Sequence, residues 1–244
     1  EGAGHKAYIV GGCVRDSLRG QHPTDWDIAT NAAPEEIQKL FPDNFYDTVY
    51  GTVTVKTRSD DPVVWTVQIT PFRTEGAYTD NRHPDHITFA STIEEDLSRR
   101  DFTINAIAVA LDGSMVDPYG GRADLEAGIL RAVGDAHERF GEDALRLMRA
   151  VRFATTLDFA IENDTLKALV EYAPSIAGIS VERVRDEFTK IMNSPGAYQG
   201  VQLLEDTGLM QFIIPELREG IGVDQNLHHI YTVWEHNLRT LKYA

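Results

Sequence analysis

Two adjacent glycines, followed by a closely spaced pair of aspartates, constrain the fold of this chain more than any other feature. Gly11 and Gly12 stand between residues 7–10, whose composition is typical of a β-strand, and a short helical segment that ends at Gly20. Glycine lets a backbone approach a bound group closely, and the first turn of a helix presents N–H groups to an anion. The pattern predicts a strand–turn–helix unit that receives a phosphate group.

The aspartate pair predicts a metal site beside that unit. Asp25 and Asp27 fall two residues apart in a stretch that we expect to form a strand over residues 26–29, so both carboxylates would leave the same face. Carboxylate oxygens suit Mg²⁺, and phosphoryl transfer uses such ions to activate a hydroxyl and to stabilise the leaving pyrophosphate. An isolated Asp-x-Asp pair is usually a solvated turn. The preceding glycines and Arg15, one helical turn in, favour the metal site.

A second motif combines a basic pair with the polar start of a helix. In the stretch from Arg99 to Ala106, Arg100 is a candidate to bind a triphosphate, and Asn105 is a candidate to tie the loop or to contact a ribose. Taken alone, the stretch is better explained as a helix capped by Asp101 with solvated arginines.

A third motif lies in a helix predicted over residues 142–157. Asp143 and Arg146 are three residues apart, so we expect them to share one face of this helix. A carboxylate beside a guanidinium offers a hydrogen-bond acceptor and a fork of donors, which together can recognise the Watson–Crick edge of a base. Arg149 and Arg152 continue the same spacing. An intrahelical ion pair on a solvated face is the alternative.

Two further helices are predicted from the sequence. One covers residues 34–40, with a proline near its first turn and Asn31 upstream as a possible cap. The other covers residues 181–192.

The overall charge argues against a nucleic-acid partner. The 244 residues carry a net charge of −15, whereas phosphate binding relies on lysine and arginine. Local basic stripes can still bind RNA on an acidic protein, and acidic clusters can hold Mg²⁺. No apolar run approaches the roughly 20 residues that cross a bilayer, and the start lacks a signal-peptide pattern. We therefore expect a cytoplasmic protein without a membrane partner, in which the single cysteine, Cys13, is buried rather than nucleophilic.

Several stretches together resemble the class II tRNA nucleotidyltransferase and poly(A) polymerase family of bacteria. In chain order they are GGCVRD, DWD, RRDFTINAIA, DPYGGRADL and EDALRLMRAVRFA. The resemblance implies an α+β fold, in which residues 1–125 form a nucleotidyltransferase-fold head with a mixed β-sheet. Residues 126–178 would form a helical neck that contains a nucleotide-selecting helix. Residues 179–244 would form a helical body and the start of an HD-like region.

The resemblance also implies an activity, the template-independent addition of CCA to the 3′ end of tRNA from CTP and ATP. By this likeness Asp25 and Asp27 bind Mg²⁺ and carry catalysis, with release of pyrophosphate. The nucleotide-binding residues that it implies are Gly11, Gly12, Arg15, Arg100, Asp101, Asn105, Asp143, Arg146, Arg149 and Arg152. Of these, Gly12, Arg15 and Arg100 would meet the triphosphate. Asp143 and Arg146 would select the base, and the last two arginines would support the nucleotide.

Three features depart from the family or extend it. The family usually places a third carboxylate where this chain has Gln68, so either two carboxylates suffice or the site is altered. Residues 73–84 resemble the flexible loop of enzymes that add the terminal A, which favours CCA or A addition over CC addition alone. His228, His229 and His236 resemble the opening of an HD phosphohydrolase domain, but the His-Asp doublet that completes such a metal site is missing.

The motifs leave other functions open. A poly(A) polymerase, or an enzyme that adds only the terminal A, shares them. A non-catalytic RNA-binding module with a decayed site would account for Gln68 and for the acidic charge, and hydrolysis by a metal-bound C-terminal domain would account for the histidines. The oligomeric state is left open. Because the chain ends at Ala244 inside a predicted helix, we expect further sequence beyond it.

Overall fold

The chain folds into two compact units. The computed structural model describes residues 2–47, 51–76, 87–226 and 230–243. The first unit comprises residues 1–77, 84–127 and 131–134, and the second comprises residues 78–83, 128–130 and 135–244. In the described ranges, no helix has the length and apolar character that a bilayer crossing requires. The three-part division predicted from the sequence stays a prediction.

A mixed sheet forms the centre of the first unit. The strands of this unit are β1 (Ala7–Val10), β2 (Asp27–Thr30), β3 (Asn44–Asp47), β4 (Thr52–Lys56), β5 (Thr66–Pro71), β6 (Arg73–Glu75), β7 (Ile87–Phe89), β8 (Ala108–Ala110) and β9 (Met115–Val116). The main sheet has the order β3-β4-β5-β2-β1-β8-β9, and β6 pairs with β7 separately. Strands β2 and β5 run parallel, whereas the other neighbours run antiparallel. The predicted mixed sheet is confirmed.

The helices of the first unit are α1 (Gly12–Leu18), α2 (Pro34–Leu40), α3 (Ile93–Ser98) and α4 (Gly121–Ala127). Helix α2 begins with Pro34, whose fixed φ suits a first helical position, and it has the predicted bounds. The prediction that Asn31 caps α2 is wrong. Its side chain instead accepts a hydrogen bond from the backbone N–H of Lys6 at 2.7 Å, and Ala33 occupies the cap position.

The core of the first unit follows the alternation of β1. Val10 packs in one apolar cluster with Phe72 and Leu97, whereas Ile9 packs in another with Cys13. Successive residues of a strand face opposite sides of the sheet, so β1 is covered on both faces. Cys13 is 1% exposed, which confirms that it is a buried residue.

Within the part of it that the structure describes, the second unit is helical apart from one short parallel strand pair. Its helices are α5 (Ala136–Glu142), α6 (Leu145–Leu157), α7 (Asn163–Tyr172), α8 (Val181–Met192), α9 (Ala197–Asp206), α10 (Met210–Ile213) and α11 (Val233–Tyr243). The strand pair is β10 (Ile129–Leu130) and β11 (Ala160–Ile161). Helix α6 packs against α8 and α9, and α8 has the bounds predicted from the sequence. These observations confirm the α+β fold class.

Candidate active site

The turn between β1 and α1 brings a cation and an anion against the backbone of Gly11. This glycine has φ 79° and ψ −141°, a backbone conformation that residues other than glycine rarely adopt. A Cβ atom at Gly11 would lie 3.2 Å from Nη1 of Arg100 and 3.5 Å from Oδ2 of Asp27. The glycine therefore leaves the space in which a guanidinium and a carboxylate approach the same stretch of backbone.

The two aspartates lie close together, although they are not on one strand. Strand β2 begins at Asp27, and exposed Asp25 lies in the bend before it, so the predicted strand over residues 26–29 starts one residue too early. Burial raises the pKa of Asp27, the charge of Asp25 raises it further, and the guanidinium of Arg100 opposes both effects. A site in which two carboxylates repel each other is one that a divalent cation would stabilise.

Gln68 lies beside the aspartate pair in the neighbouring strand. Strand β5 runs parallel to β2 with Gln68 in register with Asp27, and residues in register on adjacent strands project from the same face. The Gln68 side chain is exposed. The position at which the family resemblance places a third carboxylate is therefore next to Asp27, and in this chain it carries a neutral amide.

Three predicted nucleotide-binding residues form one hydrogen-bonded chain with Asp16. Arg15 donates to both carboxylate oxygens of Asp16, at 2.8 and 2.9 Å, and to Oδ1 of Asn105 at 2.8 Å. Asn105 in turn donates to Oδ1 of Asp101 at 3.1 Å. The guanidinium of Arg15 is therefore held by Asp16 on one side and by Asn105 on the other. No role for Asp16 followed from the sequence, although its position next to Arg15 was a usable signal.

A buried carboxylate holds the predicted triphosphate-binding arginine. Asp96 in α3 forms ion pairs with Arg99 at 2.8 Å and with Arg100 at 3.0 Å, and its side chain is 1% exposed. Burial by itself raises the pKa of Asp96, but the two guanidinium groups outweigh burial and hold this pKa below its usual range. The arginines are thus not a solvated pair. No role for Asp96 followed from the sequence, although its spacing of three and four residues from the arginines was a signal.

In the second unit, Asp143 lies between two helices. The structure ends α5 at Glu142 and begins α6 at Leu145, so the single helix predicted over residues 142–157 is wrong at its start, and so is the expectation that Asp143 and Arg146 share a helix face. Asp143 has an extended backbone, and its Oδ1 accepts from the N–H of Leu145 at 3.0 Å. Its Oδ2 pairs with Arg183 of α8 at 3.1 Å. The predicted helix is thus interrupted where Asp143 bonds to the N–H of the first residue of α6.

Arg146 is held from the other side of this break. Its side chain is largely buried, and Nη1 donates to the carbonyl oxygen of Arg139 at 2.9 Å and pairs with Glu142. Glu142 also pairs with Arg139 at 2.7 Å. The guanidinium of Arg146 and the carboxylate of Asp143 are therefore each fixed by a partner. Glu142 lies four residues before Arg146, a spacing that was a signal in the sequence, whereas Arg183 is distant from Asp143 along the chain.

Arg149 and Arg152 both contact the ring of Phe153 in α6. The guanidinium of Arg152 lies 3.9 Å from the ring centroid of Phe153, and that of Arg149 lies 5.3 Å from it. Arg152 also pairs with Glu187 of α8, whose side chain is 6% exposed. Cation–π contact and ion pairing give these arginines defined positions.

Two sequence features fall partly outside the described residues. Of the predicted flexible loop, residues 73–75 form β6, and residues 77–84 lie outside the described ranges. His228 and His229 lie outside as well, and His236 is in α11. Among the residues that the structure does describe, no group of three metal-ligating side chains occurs.

The sequence matches the profiles of two protein families. Residues 7–131, slightly more than half of the chain, match the family described as "Poly A polymerase head domain". Residues 158–221 match the family described as "Probable RNA and SrmB- binding site of polymerase A". The first match contains both candidate aspartates and Arg100.

Curated relatives resemble nearly the whole chain. The CCA-adding enzyme of Leuconostoc mesenteroides is 46% identical over an alignment of 246 positions, which covers 98% of this chain and 60% of that protein. The CCA-adding enzyme of Lactobacillus gasseri is 47% identical over 210 residues, which are 86% of this chain and 52% of that protein. The chain thus spans between about half and three fifths of the length of these relatives.

Solved structures resemble the fold as well. The Bacillus stearothermophilus CCA-adding enzyme in complex with CTP has a TM-score of 0.77 at 44% identity, over 85% of this chain and 49% of that one. A tRNA nucleotidyltransferase complexed with a primer tRNA and an incoming ATP analog has a TM-score of 0.70 at 27% identity, over 92% of this chain and 62% of that one.

Proposed function

Because the chain belongs to the class II tRNA nucleotidyltransferase and poly(A) polymerase family, we propose that it adds CCA to the 3′ end of tRNA from CTP and ATP without a nucleic-acid template. The observation that carries the proposal is the meeting of Asp27 and Arg100 at Gly11, with the charge of Asp25 acting on Asp27. That site combines carboxylates for a metal ion with a guanidinium for a phosphate. The relatives named CCA-adding enzymes, and the solved complexes with CTP and with primer tRNA, support the substrate class. A cytoplasmic location is part of the same proposal.

The aspartate pair fits Mg²⁺. Burial and the neighbouring charge of Asp25 raise the pKa of Asp27, which means that the ionised form of its carboxyl is disfavoured. A divalent cation bound to both carboxylates would offset that cost. Asp25 and Asp27 would hold the ion, with the amide of Gln68 alongside. Bound there, Mg²⁺ supplies activation of the terminal hydroxyl and stabilisation of the leaving pyrophosphate.

The remaining head residues orient the triphosphate. Arg100 projects its guanidinium over Gly11, and Arg15 lies against Gly12, where a Cβ atom would be 3.5 Å from its Nη2. Guanidinium groups bind phosphate oxygens through pairs of parallel N–H donors. Asn105 holds Arg15 in place, and Asp101 holds Asn105. The transferred phosphate would thus meet charges that are already oriented.

The second unit supplies base selection in this proposal. Asp143 and Arg146 are fixed at the break between α5 and α6 and provide an acceptor and a set of donors. CTP and ATP differ in the edge that they present, so a protein can distinguish them by hydrogen bonding alone. Arg149 and Arg152 would support the bound nucleotide from the same helix.

A nucleotide-addition assay tests the proposal directly. A tRNA that ends before CCA is incubated with Mg²⁺ and with CTP, ATP or both. We expect CC addition from CTP alone and CCA from the mixture. Asp25→Ala and Asp27→Ala abolish incorporation while the fold, followed by circular dichroism, is retained. Asp60→Ala, which removes an exposed aspartate of the head, is the control and leaves incorporation intact. Normal incorporation by both active-site variants would reject the metal assignment.

The same assay separates the alternative functions. Long A tracts from ATP alone would identify a poly(A) polymerase, and addition only to a tRNA that already ends in CC would identify an A-adding enzyme. RNA binding without Mg²⁺-dependent pyrophosphate release would identify a non-catalytic RNA-binding module.

A further inference from the structure

Asp96 is a buried anion outside the site defined by the carboxylate pair. It lies in α3, its side chain is 1% exposed, and its two oxygens have different partners. Oδ1 accepts from Arg99 and from the backbone N–H of Arg73, at 2.8 and 3.4 Å, and Oδ2 accepts from Arg100 at 3.0 Å. One buried carboxylate therefore joins two guanidinium groups to the first residue of β6.

The Arg100 guanidinium connects this cluster with the Gly11 turn. Its Nη2 binds Asp96, whereas its Nη1 faces the carbonyl oxygen of Asn105 at 3.4 Å and lies 3.2 Å from the point where Gly11 would carry a Cβ atom. Asp27 borders that same point. The cluster thus presents one edge of the Arg100 guanidinium to the turn, and a guanidinium suits an anionic ligand.

We propose that Asp96 is a positioning residue for triphosphate binding, which holds the Arg100 guanidinium over the glycine turn before a nucleotide arrives. This inference rests on the role of Arg100 in the proposed function. An arginine side chain loses considerable rotamer freedom when it is fixed, and a pre-formed ion pair removes that loss from the binding step. Without Asp96, the guanidinium is free to turn toward the Asp27 carboxylate, where it would compete with a cation.

A double-mutant cycle distinguishes positioning from a merely structural role. The probe is inorganic tripolyphosphate without added metal, measured by calorimetry, so that neither base recognition nor metal binding contributes. We expect Asp96→Asn to weaken tripolyphosphate binding about tenfold and Arg100→Ala to weaken it at least as much. In the Arg100→Ala background, Asp96→Asn should have no further effect beyond about twofold. Glu94→Gln, which removes an exposed charge from the same helix, is the control and should bind like wild type.

Nucleotide kinetics give an independent readout. Because Arg100 faces the triphosphate and not the base, Asp96→Asn should raise KM for CTP and for ATP by the same factor and leave their kcat/KM ratio unchanged. Additive losses in the cycle, or an altered CTP/ATP ratio, would overturn the inference. If Arg100→Ala binds tripolyphosphate as wild type does, both the role of Arg100 and this inference are rejected. Coupling in the cycle without any nucleotide addition by the wild type rejects the proposed function alone.

Removing one partner of a buried ion pair is strongly destabilising, so Asp96→Asn can fail to fold. In that case Asp96→Glu replaces it in the tripolyphosphate binding experiment. Glutamate keeps the charge but displaces the carboxylate by one methylene group, so Arg100 shifts. We expect a severalfold loss of tripolyphosphate binding that again disappears in the Arg100→Ala background. Wild-type binding by Asp96→Glu, or a loss that persists without Arg100, would contradict positioning by Asp96.

Discussion

At the scale of single residues, Gln68 sets the charge of the candidate metal site. It lies in register with Asp27 on the neighbouring parallel strand and carries no charge. Gln68→Glu would add a third carboxylate to that face, and divalent cations bind more tightly as the number of charged oxygen ligands rises. We expect the variant to bind Mn²⁺ about tenfold more tightly than wild type in a calorimetric titration.

Gln68→Met separates charge from shape in this experiment. Methionine has a similar length but no amide. If the Gln68 amide does not contact the cation, the Mn²⁺ affinity of Gln68→Met should stay within about twofold of the wild-type value. Equal Mn²⁺ affinity in Gln68→Glu and wild type would mean that this side chain does not reach the cation.

Asp96 also makes a pH-dependent contribution to stability. The arginines hold the pKa of the folded-state carboxyl below that of an unfolded aspartate, which is about 3.9. The ion pairs therefore stabilise the fold above that unfolded pKa, and this contribution is lost as the pH falls through the folded pKa. We expect the difference in unfolding free energy between wild type and Asp96→Asn to be largest near neutral pH and to shrink below about pH 4.

Urea unfolding at a series of pH values measures this difference. Glu94→Gln, exposed on the same helix, should follow the wild-type curve. A difference between wild type and Asp96→Asn that is constant from neutral to acid pH would show that the charge of Asp96 is not the source of its stabilising effect.

The residues of the candidate site stand out in the sequence to different degrees. Gly11, Asp27 and Arg100 stand out in the sequence because their spacing and types match phosphate and metal chemistry. Their fixing partners were harder to find. Asp96 is within one helical turn of Arg100, so helix periodicity held the information, whereas Arg183 is 40 residues from Asp143 and only tertiary packing brings the two together.

At the scale of elements, α4 supports the turn that carries Asn105. The backbone N–H of Gly121 donates to Asp117 at 2.7 Å, and Asp124 accepts from the Thr103 hydroxyl at 2.7 Å. A Cβ atom at Gly121 would lie 2.0 Å from the carbonyl oxygen of Thr103, a contact that no side-chain rotation relieves. The DPYGG stretch thus lets a helix approach the turn over residues 103–105 without intervening atoms.

Gly121→Ala should therefore destabilise the first unit and disturb the site. We expect a loss of about 2 kcal/mol in unfolding free energy, typical of overpacking, measured by urea unfolding. Gly178→Ala is the matched control, because no atom lies within 4 Å of its Cβ position. Equal stability of the two variants would mean that α4 moves away from the turn without cost.

The predicted bounds of a helix were wrong where a side-chain hydrogen bond outweighed the local helix propensity. Helices α2 and α8 have their predicted bounds because proline or a polar residue precedes each apolar pattern. The segment at residues 142–145 contains no glycine or proline, the residues that most strongly indicate a break in a helix. The break forms because Asp143 turns its carboxylate to the N–H of Leu145 and to Arg183.

At the scale of the whole molecule, the two units divide the predicted site residues by chemistry. The first unit contains the carboxylates Asp25 and Asp27 with the triphosphate-binding candidate Arg100, and the second contains the base-selecting candidates Asp143 and Arg146. Changes in the first unit should therefore reduce nucleotide transfer to the tRNA. Changes in the second unit should alter the choice between CTP and ATP.

Arg146→Ala tests that division. A lost fork of hydrogen-bond donors removes discrimination between bases that present different edges, so we expect the ratio of kcat/KM for CTP over ATP to change about tenfold or more on a tRNA that ends before CCA. Arg146→Lys keeps the charge but not the planar fork, and it should show most of the same change. Arg100→Ala should instead lower kcat/KM for both nucleotides by a common factor. An unchanged ratio in Arg146→Ala, or an altered ratio in Arg100→Ala, would place base selection elsewhere in the chain.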